Sequence, residues 1–197
     1  MGLSYMAFTE HLGFSDLPNI YNITFPVGPD MPNVRDDVLL VQTLMKLANF
    51  DCPYENDSFV ETSRSINVDG WFGEQTQRMI KAFEIVVCEK HLRLVANGVI
   101  EPSANDGYTA RGTIYKIIHL NQLARLATQS EREYDQISSD PRTHPTLRQS
   151  LSQPRDFPIN RELIAGTWSQ EVLFGKPSLP DDAIQAIFPA LHSNLET

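Results

Sequence analysis

The chain reads as a mainly α protein: a three-helix domain with an irregular N-terminal arm and a Pro-rich C-terminal extension. Three observations predict this. Apolar residues recur at helical spacing in three separate stretches. An Asp-Gly or Asn-Gly dipeptide, a strong turn signal, lies ahead of each of the last two. Outside these stretches Pro, Gly, Asn and Ser interrupt any regular pattern. The expected organisation is an arm over 1–34, a helical domain over 35–127 and an extension with short helices over 128–197.

In the arm, Ile20, Ile23 and Phe25 suit a short strand or an extended segment before Pro26, Gly28, Pro29 and Pro32 break the chain. The first helix is expected over 36–48. Asp36 and Asp37 sit where free backbone N–H groups favour negative charge, and Leu40, Val41, Leu44, Leu47 and Ala48 share a face. Residues 49–67 are polar and turn-rich and read as a long loop. The run Val68-Asp69-Gly70-Trp71-Phe72-Gly73 then turns the chain into a second helix over 74–91, striped by Met79, Ile80, Phe83, Val86 and Val87. Residues 95–100 form a second turn unit around Asn97-Gly98. After a loop over 101–108, a third helix is expected over 109–126, carried by Ile114, Ile117, Ile118, Leu120 and Leu123 and weakened in its first turn by Gly112. Beyond it, Pro141, Pro145, Pro154 and Pro158 exclude a long helix, and short helical patterns return at 160–173 and 181–191. This extension is expected to drape on the domain or to bind another protein.

Composition narrows the function. A net charge of −9 with no Lys/Arg run disfavours nucleic acid and anionic membrane surfaces alike. Cys52 and Cys88 are too few for a disulfide scaffold and are expected to be free thiols. The N-terminus lacks a basic start and an apolar run, so synthesis in the cytoplasm without a signal peptide is expected. No His-Glu-x-x-His, Gly-x-Ser-x-Gly, phosphate loop or Cys-x-x-Cys occurs, so no enzyme, metal site or cofactor is expected. Cys88 and His91 share a helix face but have no third partner at useful spacing, and His119 reads as a packed histidine.

The segment VDGWFGEQTQRMIKAFE, residues 68–84, resembles the signature of the peptidoglycan-binding domain family. Val68, Asp69, Gly70, Phe72, Gly73, Thr76, Ile80 and Phe83 stand at matching positions, with Glu84 where the family has Gln. Upstream, Asp37-Val38, Val41-Gln42 and Leu44 are in register with the family's first helix. Downstream, Asn-Gly-Val-Ile-Glu-Pro and the stretch from Thr109 to Leu120-Asn121 resemble its closing turn and third helix. The resemblance spans about 27–125 and departs from compact members in its longer, more polar loops at 49–67 and 101–108. It implies a small three-helix, non-catalytic module that binds peptidoglycan or muropeptides, delivered by a secretion machine or a phage lysis or tail system.

The residues themselves carry a parallel reading. Gly70 supplies a positive-φ turn, Asp69 accepts N–H groups within it, Gly73 lets the chain approach the helix start and Thr76 bonds in the first turn, all structural roles. Ligand contact falls to Trp71, Phe72, Gln75 and Arg78. Trp71 either stacks on the apolar face of a sugar or packs under the long loop, and Arg78 either pairs with a peptide carboxylate or is solvated. Two further functions compete with wall binding: a protein-interaction adaptor that clasps a partner, such as an effector, through 128–197, and a degenerate hydrolase.

Overall fold

The computed structural model describes residues 7–12, 17, 19–53, 60–88, 94–104, 107–109, 112–128 and 131–152. Over these residues the protein is mainly α, with five helices and two small two-stranded sheets. Among them no helix is long and apolar enough to cross a membrane.

Helix α1 (Arg35–Ala48) contributes more buried residues than any other helix among the described residues. The sequence pattern assigns it one apolar face, yet Val38, Leu39, Leu40, Val41, Leu44 and Met45 are all fully buried. The buried face is therefore wider than the predicted stripe, while Arg35 and Lys46 stay exposed. Asp37, expected only to suit the helix N-terminus, is itself buried. Its two carboxylate oxygens accept the Thr24 and Phe25 N–H groups at 2.8 and 2.9 Å, tying the incoming chain to the helix. Asn49 ends α1 in the left-handed region (φ 49°), its N–H donating to the Met45 carbonyl.

The arm is less irregular than expected. Strands β1 (Phe8–His11) and β2 (Asn19–Asn22) pair antiparallel, Phe8 opposite Asn22 and His11 opposite Asn19. Ile23 and Phe25 fall beyond β2. Val27 and Ile100 exchange backbone hydrogen bonds at 3.0 and 2.8 Å, closing the arm onto the second turn unit. The stretch expected to be a long loop contains β3 (Asp51–Pro53) paired antiparallel with β4 (Val60–Thr62), then a 3-10 turn at Ser63–Ser65. Ser63 closes this excursion: its N–H donates to the Phe50 carbonyl at 2.8 Å and its hydroxyl accepts the Phe50 N–H at 2.9 Å.

Helix α2 (Glu74–Cys88) buries Met79, Ile80, Phe83 and Val87, while Val86 is half-buried and Ile85 exposed. The expected continuation to 91 lies outside the described residues. Helix α3 (Lys116–Ala127) starts seven residues later than predicted. The cause is local: Gly112 sits at φ +72°, and Thr109 N–H donates to the Thr113 carbonyl while Gly112 N–H donates to that of Thr109. These residues close a separate turn, so Gly112 does not weaken a helix but forms the bend before one.

The first part of the extension belongs to the core. Helices α4 (Glu131–Asp135) and α5 (Pro145–Ser152) are short, as the prolines require, and Pro145 opens α5 where a missing N–H is tolerated. Tyr134, Ile137, Leu147 and Leu151 are buried in the same cluster as the apolar residues of α1, α2 and α3. Asn121 of α3 joins β2 to α4. Its amide brackets the Tyr21 backbone with bonds of 2.9 Å on each side and accepts the Tyr134 hydroxyl. Tyr21 and Tyr134 meet edge to face at 5.2 Å. The helical patterns at 160–173 and 181–191 lie outside the described residues.

Candidate functional site

Two glycine turns are built alike. In the first, Gly70 has φ +77°, a conformation only glycine adopts without strain. The Asp69 carboxylate accepts the Trp71 N–H at 2.9 Å, as its place in the turn predicts. The clamp that holds this turn is the buried amide of Gln42 on α1. Its Oε1 accepts the Asp69 and Gly70 N–H groups at 3.1 and 2.9 Å. Its Nε2 donates to Asp69 Oδ1, the Trp71 carbonyl and Thr76 Oγ1 at 3.0 to 3.1 Å. One side chain therefore satisfies both the donors and the acceptors of the turn.

The second turn repeats the pattern with different chemistry. Glu84 of α2 accepts the Asn97 and Gly98 N–H groups at 3.1 and 2.9 Å, and Asn97 Oδ1 accepts the Val99 N–H at 3.1 Å. A carboxylate cannot donate. Lys116 supplies the missing donors: its Nζ reaches Glu84 Oε1, Asn97 Oδ1 and the Val99 carbonyl, each at 2.6 Å. A Glu–Lys pair thus does in the second unit what one glutamine does in the first. Gln42, Glu84 and Asn121 each follow an apolar residue (Val41, Phe83, Leu120) on successive helices. The chain shows this register, but nothing local in it identifies these polar residues as clamps.

Near the pair lies a second carboxyl, Glu101, whose Oε1 accepts the Lys116 N–H at 3.2 Å while Oε2 stands 3.7 Å from Lys116 Nζ. Burial pushes the Glu101 carboxyl above the usual carboxylate range. Burial, then the charge of Glu84, also pushes the Cys88 thiol up, the reverse of what a thiolate nucleophile needs. His91, its expected companion, lies outside the described residues. Neither Cys52 nor Cys88 is in a disulfide. No group of three or more His, Cys, Asp or Glu suited to a metal occurs among the described residues.

Outside the first turn opens a shallow pocket of about 240 Å³ lined by Asn33, Arg35, Gly70, Trp71 and Phe72. Trp71 is 73% exposed, so it does not pack under the 49–67 segment. Phe72 is half-buried against the core edge. Gln75 and Arg78 do not line the pocket. Gln75 faces the other way, accepting the Asn67 N–H at 3.1 Å and donating to the Ser65 carbonyl. Arg78 pairs with Glu74 at 3.4 Å, one helical turn away. Thr76 accepts from Gln42 and donates to the Trp71 carbonyl at 3.4 Å, within the first helical turn as expected.

Gly73 needs correction. A Cβ there would meet nothing within 4 Å, so close approach does not explain the glycine. Its carbonyl accepts the Gln77 N–H at 3.0 Å, the first hydrogen bond of α2. Nothing local marks Asn33, just before α1, or Arg35, its first residue, because both lie about 35 residues from the motif they adjoin. Only the fold brings them to Trp71. No protein-family model, curated protein or solved structure matches the chain.

Proposed function

We propose that residues 35–127 form a peptidoglycan-binding-like three-helix domain that recognises peptidoglycan or muropeptides without catalysing a reaction. The observation that carries this reading is Trp71: a solvent-facing indole on a turn held rigid by the Gln42 clamp. An exposed aromatic face on a fixed backbone suits stacking against the apolar side of a sugar ring, and the indole N–H adds one directed hydrogen bond. Preorganisation reduces the entropy lost when the ligand docks. On this reading the place of action is the cell wall, reached through a secretion machine or a phage system.

The test is retention on purified insoluble peptidoglycan. The wild-type chain is retained and Trp71→Ala is not, although both unfold at the same urea concentration. Equal retention of the two, or no retention of either, refutes the proposal, and release of soluble muropeptides marks a hydrolase instead.

The adaptor reading keeps one observation of its own: Leu126, 81% exposed on the last turn of α3, leads directly into the extension. Its test must cut after Ser152. A cut after Thr128 removes Tyr134, Ile137, Leu147 and Leu151 from the core and unfolds the domain rather than releasing a partner.

A further inference from the structure

We infer that the pocket beside Trp71 selects ligands bearing a carboxylate, and that Arg35 is the residue that holds it. The inference rests on the reading of Trp71 as a saccharide platform and names the chemistry of the ligand at that site.

The polar groups lining the pocket are mostly committed. Asn33 Oδ1 accepts the Gly28 N–H at 2.9 Å, and its Nδ2 donates to the Gly28 and Met31 carbonyls at 2.8 and 2.9 Å. The Gly70 N–H and the Trp71 carbonyl are held by Gln42, and the Trp71 N–H by Asp69. What remains to meet a ligand is the indole of Trp71, the ring of Phe72 and the guanidinium of Arg35. Arg35 is exposed and makes no ion pair or side-chain hydrogen bond among the described residues. The surrounding carboxylates are engaged elsewhere: Asp36 accepts the Ser150 hydroxyl at 2.6 Å, Asp69 is in the clamp, and Glu74 pairs with Arg78.

Arg35 is also positioned. A Cβ on Gly70 would lie 2.7 Å from Arg35 Cγ and 3.2 Å from its carbonyl. The glycine therefore does more than turn the chain: its bare face lets the arginine stem lie against the turn. A planar fork on a stem that starts against this turn, beside an aromatic face, can read a carboxylate bidentately while the sugar stacks. The net charge of −9 repels anions at a distance, so the selectivity arises at contact, not by steering.

The experiment titrates the full chain with three probes: a disaccharide–dipeptide muropeptide with free carboxylates, the same compound with those carboxylates amidated, and a glucuronate-containing disaccharide. Binding is read by the tryptophan fluorescence change and by calorimetry. The expected result is that amidation weakens muropeptide binding about fivefold, the scale of a solvent-accessible ion pair. That gap closes in Arg35→Met, which keeps the stem against Gly70, and partly reopens in Arg35→Lys. Equal binding of the free and amidated muropeptides overturns the inference and leaves wall recognition standing. Arg35-dependent binding of the glucuronate probe alone supports acidic-saccharide selection and refutes wall recognition. Binding of none of the probes overturns both.

Discussion

Lys116 is the residue whose loss the structure prices most clearly. Its side chain is 4% exposed, and its ammonium donates three hydrogen bonds of 2.6 Å and is the cation between the buried carboxyls of Glu84 and Glu101. Lys116→Met keeps most of the volume but leaves the Glu84 carboxylate buried without its counter-ion, together with two acceptors of the Asn97-Gly98 turn. Breaking a buried pair on one side destabilises by about 3–5 kcal/mol. For a chain of this size that is a drop of about 6–20 °C in melting temperature. The first turn shows the remedy. Glu84→Gln places a Gln42-like amide under the second turn, able to accept the Asn97 and Gly98 N–H groups and to donate to Asn97 Oδ1 or the Val99 carbonyl. The double variant Glu84→Gln/Lys116→Met should therefore recover about 2 kcal/mol relative to Lys116→Met alone. Glu101 is the carboxyl better suited to losing the lysine, because burial already pushes it towards its protonated form. The assay is urea unfolding at neutral pH, followed by circular dichroism, for the wild type, both single variants and the double. If Lys116→Met unfolds within about 1 kcal/mol of wild type, or the double variant is no better than it, the two-residue replacement of a glutamine clamp is refuted.

The two glycines of the first motif should separate. Gly70→Ala forces a side chain into φ +77° and into contact with Arg35 and Leu39, and destabilises by about 2–4 kcal/mol. Gly73→Ala meets open space and changes stability by less than about 1 kcal/mol, so equal effects in urea unfolding would undo the distinction. Glu101 carries a pH signature. Its folded pKa lies above the ordinary 4.5, so the folded state gains from its protonated form and loses that advantage as pH rises above 4.5. Glu101→Gln should consequently gain stability relative to wild type between acid and neutral pH, and a constant difference across that range contradicts the assignment. Tyr21 is pushed up to about 12 by burial and then by the charge of Asp135. Its stabilising neutral form is fully present below pH 10 and is lost as pH rises through about 12, so Tyr21→Phe should flatten the alkaline decline in unfolding free energy.

Much of the fold follows from local order along the chain. The helix over residues 36–48, the entry of α2 at Glu74 and both glycine turns are legible because propensity, period and turn chemistry are short-range properties. Asp69 and Gly70 reveal their roles within four residues. The third helix starts later than its apolar pattern predicts for a reason equally local but weaker in pattern: Ile114 continues the apolar rhythm just after the turn closed by Thr109, Gly112 and Thr113, before the helix has begun. What no local pattern contains is the partner across the fold. That Gln42 grips a turn 28 residues away, that Lys116 completes Glu84, that Asn121 ties Tyr21 to Tyr134, and that Arg35 stands beside Trp71 all depend on how the helices pack. A buried polar group must find a partner, and the sequence states that need at each position. Which partner answers it, and which side chains are left facing water to meet a ligand, is decided only when the chain closes on itself.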